Sequence, residues 1–487
     1  MVVERDEPSA VDLRKMLRGL EELAFRPGRA TSLVKLCEAG ALYGMRELGE
    51  ATKPLLTALA SKAKASLRGD LQRRLERVTR SCLELERKSF DLVMRSIDPL
   101  TARTDPALRE EMFLGQKPCD RLLSLFKNFP VLPNLWSRSI SQWREHVVEV
   151  LSRIAKDRTA LSRAFFSGKA LGALSDFRCG LSDPHHRGRT VTLLQFRVGA
   201  VIYKPRSGDG EREWHSLLDW INAQSFRPKL RAGRVLRRKG YCWMEYIAVA
   251  PCKDNLAARR FYKRMGGTMA AAYLLKAVDC HRDNLIAAGE HPVLVDADAL
   301  WHVFPLTGTQ TPLELLCSTG FFPGLNRRSL QSRSSILGGT NKGAHVARIG
   351  NKPLRAIQYE REILRGFRRA WRCLVGTKDR RRNFGRRLRR IRSRQRRCIY
   401  WPTEKYATIL RASIQPAALR SEIERRQLVA RLCKRTTVPA IVVQAGVEAL
   451  MRLDIPYLIG GRGDPVSPDI GSLPPPVLQA LQFLRSN

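Results

Sequence analysis

The chain has 487 residues, of which 44% are hydrophobic, enough for a core and about two to four domains. Its 87 Lys and Arg residues outnumber 46 Asp and Glu residues, and this formal net charge of +41 favours an anionic ligand, an acidic peptide or a nucleic acid as partner. Apolar runs such as 438–447 are shorter than the ~20 residues of a membrane span, and the N-terminus lacks the apolar stretch of a secretory signal. The eleven cysteines include no CxxC pair, which predicts buried thiols in a reducing cytoplasm rather than a disulfide framework or a tetrathiolate zinc site.

The first part of the chain, residues 1–175, is predicted to be a helical N-terminal region. Apolar residues between Trp143 and Ile154 recur at the spacing of one helix face, and 52–66 and 70–95 share this periodicity.

The pattern changes near residue 180. TVTLLQF (190–196) and AVIYK (200–204) are β-branched and apolar, and the turn-like Arg-Val-Gly between them indicates a β-hairpin. The later predicted elements are a strand around 241–249, a helix over about 257–278, a short strand at 293–295, an aperiodic stretch at 305–355, helices over about 356–452, and a loose tail at 461–487.

Three segments carry polar groups in the order of a kinase active site. Lys204 ends the hairpin strand, where a lysine can bind nucleotide phosphates. Asp279 and Asn284 are five residues apart, like the catalytic Asp and the metal-binding Asn of kinases. Asp296 follows the short strand, in the position of a second metal-binding Asp.

This order predicts an α+β fold with a kinase-like, two-lobed catalytic core. His281 completes the run D-x-H-x-x-N, which resembles lipid kinases more than protein kinases. The N-lobe is predicted at 176–262, with Lys204 on its hairpin, and the C-lobe at 263–460, with the catalytic and metal loops and the C-terminal helices. No GxGxxG loop precedes Lys204, so the only candidate for a phosphate loop is DPHHRGR at 183–189.

The run from 183 to 301 resembles the dehydratase domain of class II lanthipeptide synthetases, the LanM type. The resemblance is carried by DPHHRGRTVTLLQF, VIYKPRS, YCWMEYIAVAPC, RRFYKRMGG and DCHRDNLIAAGEHPVLVDADALWH, and weaker similarity covers roughly 120–460. It implies a lipid-kinase-like fold that uses ATP and Mg²⁺ to phosphorylate Ser and Thr in a ribosomal precursor peptide. Elimination of the phosphate would then leave dehydroalanine or dehydrobutyrine.

The same resemblance assigns roles to residues by motif. The residues that match phosphorylation and metal binding are Lys204, Asp279, His281, Asn284, Asp296 and Asp298. The residues that match elimination are Asp183, His185, Arg397 and Thr403. Elimination needs a base for the α-proton and a cation for the leaving phosphate, which suits a histidine and an arginine.

The sequence also departs from the family's pattern. Typical members are much longer and end in a zinc cyclase domain, whereas this chain ends soon after LDIPYL without a Cys/His cyclase signature, so ring closure would require a separate cyclase. Asp298 stands where the family usually has Glu, and Trp401 where many members have Arg. The segment between the acidic pair and Arg397 is short. These departures put metal geometry and elimination in question.

The stretch from Lys378 to Arg397 is strongly basic, with twelve basic residues and one acidic residue. Phe384, Leu388 and Ile391 recur at helical spacing, so an amphipathic helix with a basic face is predicted, which could bind an acidic leader peptide. Sparse aromatic residues argue against nucleic acid. Three hypotheses therefore stand: a dehydratase, a kinase that stops at the phosphorylated product, and a non-catalytic basic binding protein on a degenerate kinase scaffold.

Overall fold

The computed structural model describes residues 13–21, 32–57, 59–97, 106–115, 118–300, 311–322, 335–337, 343–392, 396–434, 438–460 and 477. The helices in these ranges are α1 Leu13–Glu21, α2 Ser32–Thr57, α3 Ser61–Ile97, α4 Pro106–Leu114, α5 Pro118–Asn128, α6 Leu132–Phe165, α7 Asp209–Ala223, α8 Asn255–Leu274, α9 Pro312–Ser318, α10 Glu360–Val375, α11 Lys378–Arg392, α12 Thr403–Ser413, α13 Glu422–Cys433 and α14 Ala440–Met451. The strands are β1 Leu174–Arg178, β2 Thr192–Phe196, β3 Gly199–Lys204, β4 Val235–Arg237, β5 Cys242–Glu245, β6 Leu285–Ala288, β7 His291–Leu294, β8 Arg348–Ile349, β9 Lys352–Pro353, β10 Arg396–Cys398 and β11 Leu458–Gly460.

The chain divides into two compact units. The central unit comprises 206–400 and 458–487, and the flanking unit comprises 2–205 and 401–457. The domain boundaries predicted at 175 and 262 fall inside the flanking and central units, respectively. Within the described residues both helices and short antiparallel strands are present, and the kinase-like character of the fold remains a prediction.

The core of the flanking unit is built from three long helices, α2, α3 and α6. One face of α3 is buried at the spacing of an amphipathic helix, by Leu67, Leu71, Leu75, Val78 and Cys82. Trp136 of α6 is fully buried and donates a 2.8 Å hydrogen bond to the hydroxyl of Thr79. The buried indole thus satisfies its polar group inside the core, as a tryptophan at such a site requires.

The predicted hairpin is confirmed in the flanking unit. Strands β2 and β3 pair antiparallel from Thr192 opposite Tyr203 to Phe196 opposite Gly199, and β1 pairs with β2 on the other side. This meander places Lys204 as the last residue of β3, where its side chain is buried.

Some predicted elements need correction. The periodicity over 52–66 does not form one helix, because α2 is kinked at Thr52 and ends at Thr57, and α3 begins at Ser61. The helices predicted over 356–452 are interrupted by strand β10, which carries Arg397 and pairs with β11. The partner strand lies some sixty residues away along the chain, so local periodicity could not indicate it.

Other predictions fall partly outside what is described. The helix predicted at 257–278 is α8, and the strand predicted at 293–295 corresponds to β7, which pairs with β6 in a hairpin. Apart from Val477, the tail at 461–487 lies outside the described residues. All eleven cysteines are free thiols, and nine of them are buried as expected. Among the helices of the described ranges, none combines the length and the apolarity needed to cross a bilayer.

Helices α8 and α10 of the central unit approach each other backbone to backbone. A Cβ at Gly366 would overlap the carbonyl oxygen of Lys263, and a Cβ at Gly266 would overlap that of Ile363. Glycine at both positions is therefore required by the distance between the two helices rather than by backbone conformation. The loop with Asp279 follows α8, so this packing anchors the candidate site.

We expect Gly366→Ala to destabilise the protein by about 1–3 kcal/mol, because the added methyl group forces the two helices apart. The matched control is Gly385→Ala in α11, where a Cβ would have no neighbour within 4 Å. That change should be neutral or stabilising by up to about 1 kcal/mol, through helix propensity. Chemical denaturation of both variants measures the difference, and equal midpoints would contradict the proposed close approach.

Candidate active site

The loop after α8, residues 278–284, is held by hydrogen bonds to two other segments of the central unit. The amide of Val278 donates to the carbonyl of Ala299 over 3.0 Å, and the amide of Cys280 donates to the carbonyl of Thr319 over 2.9 Å. The side chain of Cys280 is buried and packs in the core. The loop is therefore fixed at its base by backbone hydrogen bonds and by the buried side chain of Cys280.

Asp279 has a left-handed backbone conformation, with φ of 66°, which costs a non-glycine residue about 1 kcal/mol or more. Its carbonyl oxygen accepts a 2.8 Å hydrogen bond from the side-chain amide of Asn284. His281 lies with Nε2 at 3.2 Å from a carboxylate oxygen of Asp279, and its Nδ1 accepts from the amide of Asp283. The Asp, His and Asn of the predicted D-x-H-x-x-N run thus contact one another.

Asp279 and His281 each shift the pKa of the other. Burial would raise the pKa of Asp279, but the hydrogen bond and charge of His281, together with the charge of Arg397, lower it below the ordinary value. Burial would lower the pKa of His281, but Asp279 raises it above the ordinary value. Asp279 is consequently a carboxylate at neutral pH, as an acceptor of a hydroxyl proton must be.

The acidic pair lies beside this loop. Asp296 and Asp298 follow β7, and the amide of Val295 donates a 2.9 Å hydrogen bond to the carbonyl of Asn284. The backbone therefore joins the two predicted metal-binding segments directly. Burial and the negative charge of Asp296 raise the pKa of Asp298. The charges of Arg206 and Arg397 lower it, but the net shift is upward.

Arg206 is the central cation of this site, and it is not among the residues predicted from the sequence. Its guanidinium lies 2.6 Å from Asp296, 3.0 Å from Asp298 and 3.1 Å from Glu211. The planar guanidinium presents five donors in a fixed fork, so it can contact several carboxylates at once. The sequence signal was its place in the quoted run VIYKPRS, two residues after Lys204.

Arg397 connects the acidic pair to the loop of Asp279. It lies on β10 opposite Ile459, and its Nη1 is 3.4 Å from Asp279 and 3.5 Å from Asp298. Its side chain is only 9% exposed. A residue predicted for elimination is therefore in contact with the residue predicted to accept the proton in phosphorylation.

The first turn of α7 contacts the backbone of the acidic pair. A Cβ at Gly210 would overlap the carbonyl oxygen of Ala297 and lie 3.0 Å from the Cα of Asp298. Gly208, the residue before α7, has φ of 68°, which glycine adopts without strain. The two glycines let Glu211 reach the buried side of the site, where it contacts Arg206.

The donor set suits a hard divalent cation. The residues predicted to bind metal, Asn284, Asp296 and Asp298, carry carboxylate and amide groups, the ligands that Mg²⁺ prefers. Among the described residues, no group of three or more His, Cys, Asp or Glu is arranged to hold a metal ion. Two arginines neutralise the carboxylates here, so a cation would compete with Arg206 for the oxygens of the acidic pair.

We expect Arg206→Gln to lower the free energy of unfolding by about 2–4 kcal/mol without divalent cations, because buried carboxylates would lose their counter-ion. Mg²⁺ should restore part of this loss by binding the folded state. Arg212→Gln, which removes a more exposed ion pair of α7 to Glu213, should cost about 0–1 kcal/mol. Denaturation with and without Mg²⁺ measures both, and a small, cation-independent effect of Arg206→Gln would contradict this role.

The remaining predicted residues belong to the flanking unit. Asp183 is exposed, whereas Lys204 is buried. Nδ1 of His185 lies 2.7 Å from the carbonyl oxygen of Ile455. Thr403 is the first residue of α12 and is half-buried.

Trp401 has a structural explanation. It is buried in the apolar core of the C-terminal helices, its ring centroid lies 5.2 Å from that of Tyr406, and Nζ of Lys405 lies 4.4 Å from its ring centroid. The arginine of the family's pattern is therefore replaced by a core residue.

The profile of one protein family, described as "Domain of unknown function (DUF4135)", matches residues 129–348 and 337–459. The match includes every catalytic, nucleotide-binding and metal-binding residue predicted from the sequence. It leaves out most of the helical N-terminal region.

A curated relative is similar to part of the chain. The "Lacticin 481/lactococcin biosynthesis protein LcnDR2" of Lactococcus lactis subsp. lactis is 24% identical over 233 residues, which is 44% of this chain. The aligned part spans 25% of the length of that relative. The two comparisons confirm the resemblance found in the sequence to the LanM-type dehydratase region.

Proposed function

The chain belongs to the DUF4135 family, and from that premise we propose that it is a lanthipeptide dehydratase. The proposed reaction is ATP-dependent phosphorylation of Ser and Thr in a ribosomal precursor peptide, followed by elimination of the phosphate. The relative's printed role in the biosynthesis of lacticin 481 and lactococcin supports a peptide substrate. The resemblance of 183–301 supports the two-step chemistry.

The observation that carries the proposal is the contact of Arg397 with Asp279 and Asp298. Phosphorylation needs a carboxylate for the hydroxyl proton, and elimination needs a cation for the departing phosphate. These groups lie within 3.5 Å of each other in the central unit. A phosphate formed beside Asp279 would already be within reach of the cation that assists its departure.

In the phosphorylation step, the substrate oxygen attacks the γ-phosphorus, its proton passes to Asp279, and ADP leaves. Bound Mg²⁺, held by Asn284, Asp296 and Asp298, would neutralise charge on the phosphates. Lys204 would bind nucleotide phosphates. His281 holds Asp279 ionised through the 3.2 Å contact to its carboxylate.

In the elimination step, His185 takes the α-proton of the phosphorylated residue. The Cα–H electron pair forms the Cα=Cβ bond, and the Cβ–O bond breaks, so that phosphate leaves with its electrons. Arg397 would stabilise the departing phosphate by charge-assisted hydrogen bonds. The resemblance assigns Asp183 and Thr403 to the same step.

A kinase that stops at the phosphorylated product is the second candidate. It is favoured by Trp401, which is buried in an apolar core where many family members carry an arginine. The two candidates differ only in the fate of the phosphopeptide.

We expect Asp279→Asn to abolish modification of a candidate precursor peptide, because the proton acceptor is lost. Arg397→Gln should leave phosphorylation measurable and slow elimination about 100-fold, as loss of a charge-stabilising donor does. Mass spectrometry of the peptide after incubation with ATP and Mg²⁺ measures both steps as gain of phosphate and loss of water.

The matched control is Arg95→Gln, which removes an exposed arginine of α3 and should leave both steps unchanged. Phosphate gain without water loss by the wild-type protein would favour the second candidate. Absence of any mass change, together with no thermal stabilisation by ATP and Mg²⁺, would contradict both and favour a non-catalytic binding protein.

We also propose that an acidic leader segment of the precursor binds the basic surface formed by the exposed residues Arg365, Arg368, Arg369, Arg372, Lys378, Arg381, Arg382 and Arg386. Helix α11 packs through Phe384, which is buried and stacked on Trp220 of α7 at 6.1 Å. This directs the arginines of its first turns outward. Burial, and then the charges of Arg369 and Arg365, lower the pKa of Lys263, as expected where cations are crowded.

We expect the triple variant Arg381→Glu, Arg382→Glu, Arg386→Glu to weaken peptide binding about tenfold or more and to flatten its salt dependence. The control reverses three exposed cations of α3, Lys64, Lys88 and Arg95, and so changes net charge equally. Fluorescence anisotropy of a labelled precursor measures the affinity. Equal effects of the two triple variants on peptide affinity would contradict a local basic site. If the α11 variant instead lost oligonucleotide binding while keeping peptide binding, the surface would be assigned to nucleic acid.

A further inference from the structure

The loop at 183–189 of the flanking unit has an unusual backbone. Three consecutive residues, His186, Arg187 and Gly188, have positive φ values of 45°, 69° and 74°. Two of the three are not glycine, so the conformation is costly unless other contacts hold it. Left-handed turns of this kind direct successive amides toward one point, where they can bind an anion.

The anion in this turn is the side chain of Asp454. Its two carboxylate oxygens accept hydrogen bonds from the amides of Arg187, at 2.6 Å, and Gly188, at 2.8 Å. Asp454 is 1% exposed. Burial raises its pKa above the ordinary value, although these two hydrogen bonds act in the opposite direction. The sequence predicts that this loop approaches a phosphate, whereas in the structure the carboxylate of Asp454 accepts hydrogen bonds from two of its amides.

The residue after Asp454 continues the contact. The amide of Ile455 donates a 2.8 Å hydrogen bond to the carbonyl of Pro184, and the carbonyl of Ile455 lies 2.7 Å from Nδ1 of His185. A carbonyl oxygen only accepts, so Nδ1 of His185 carries the proton. The lone pair of the neutral imidazole is then on Nε2, the atom that can take a proton from a substrate.

Further contacts orient the ring of His185. Its centroid lies 5.3 Å from that of Tyr457 in an edge-on arrangement. The backbones of His185 and Arg189 exchange two hydrogen bonds of 3.0 and 2.9 Å, and the Arg189 guanidinium lies 2.9 Å from Glu149. Several contacts therefore hold the segment 454–457 against the loop 183–189, and Asp454 is the buried residue among them.

We propose that Asp454 is a positioning residue for His185: it holds the loop so that the Ile455 carbonyl fixes the imidazole with its lone pair on Nε2. This role of Asp454 rests on the elimination step proposed for His185, for which it would orient the imidazole. Without Asp454, two amides lose their acceptor and the strained turn loses its support. The imidazole would then sample both tautomers and a wider range of orientations.

The test uses the full chain and Asp454→Asn, which keeps the shape of the side chain and removes its charge. Elimination is measured on a synthetic phosphoserine peptide with ADP and Mg²⁺, so that the phosphorylation step is bypassed. We expect elimination to slow about 10- to 100-fold through misplacement of the base. Phosphorylation of the unmodified peptide should be unchanged, so phosphopeptide should accumulate.

A second readout reports the tautomer directly. The ¹⁵N resonances of histidine-labelled protein, assigned with His185→Gln, should show a protonated Nδ1 in the wild type and averaged nitrogens in Asp454→Asn. Asp454→Glu retains the carboxylate and should recover part of both properties. If Asp454→Asn does not fold, the tautomer and the elimination rate of Asp454→Glu decide the question. The control is Glu448→Gln in α14, which removes an ion pair to Arg426 and should change neither.

Normal elimination by Asp454→Asn, or an unchanged tautomer, would overturn the inference. Equal loss of phosphorylation and elimination with a lowered melting temperature would also overturn it, because Asp454 would then serve stability alone. A wild-type protein without elimination activity would contradict the proposed function instead. In that case the His185 resonances would still decide whether Asp454 fixes the tautomer.

Discussion

Three half-buried carboxylates of the central unit, Asp279, Asp296 and Asp298, share two arginine partners, and their negative charges must be balanced by these cations. Arg206 and Arg397 provide this balance through contacts of 2.6 to 3.5 Å. The position of these two arginines in turn depends on the acidic loop after β7 and on strand β10. Under the proposed function, the same carboxylates and arginines would contact the phosphates and their metal.

Hydrogen bonds and charge balance together stabilise the strained backbone conformation of Asp279. A left-handed aspartate is unfavourable alone, but Asn284 binds its carbonyl and His281 binds its carboxylate. The loop is anchored beneath by backbone hydrogen bonds, and α8, which precedes it, packs on α10 through glycines. The packing of α8 on α10 therefore helps to fix the position of the Asp279 carboxylate.

The flanking unit follows the same rule with the signs reversed. Backbone amides at a strained turn form a positive site, and Asp454 supplies the negative charge. In both units the partner of a charged group is therefore another group of the protein itself. Such internal pairs keep a site in shape while no substrate is bound, since a buried charge without a partner is costly.

The sequence by itself determined much of the chemistry: the β2–β3 hairpin, the D-x-H-x-x-N run, the acidic pair and the likeness to the LanM-type region. These features depend on residues that are close along the chain, so periodicity and spacing could indicate them.

Only the tertiary structure decided the partners of those residues. Arg206 meets Asp296 ninety positions away, Arg397 meets Asp279 across 118, and Asp454 meets Arg187 across 267. Gly210 and Gly366 are likewise required because the backbone of a distant segment lies too close to allow a Cβ. Electrostatic and steric contacts depend on distance in space, and one sequence without its fold records only distance along the chain.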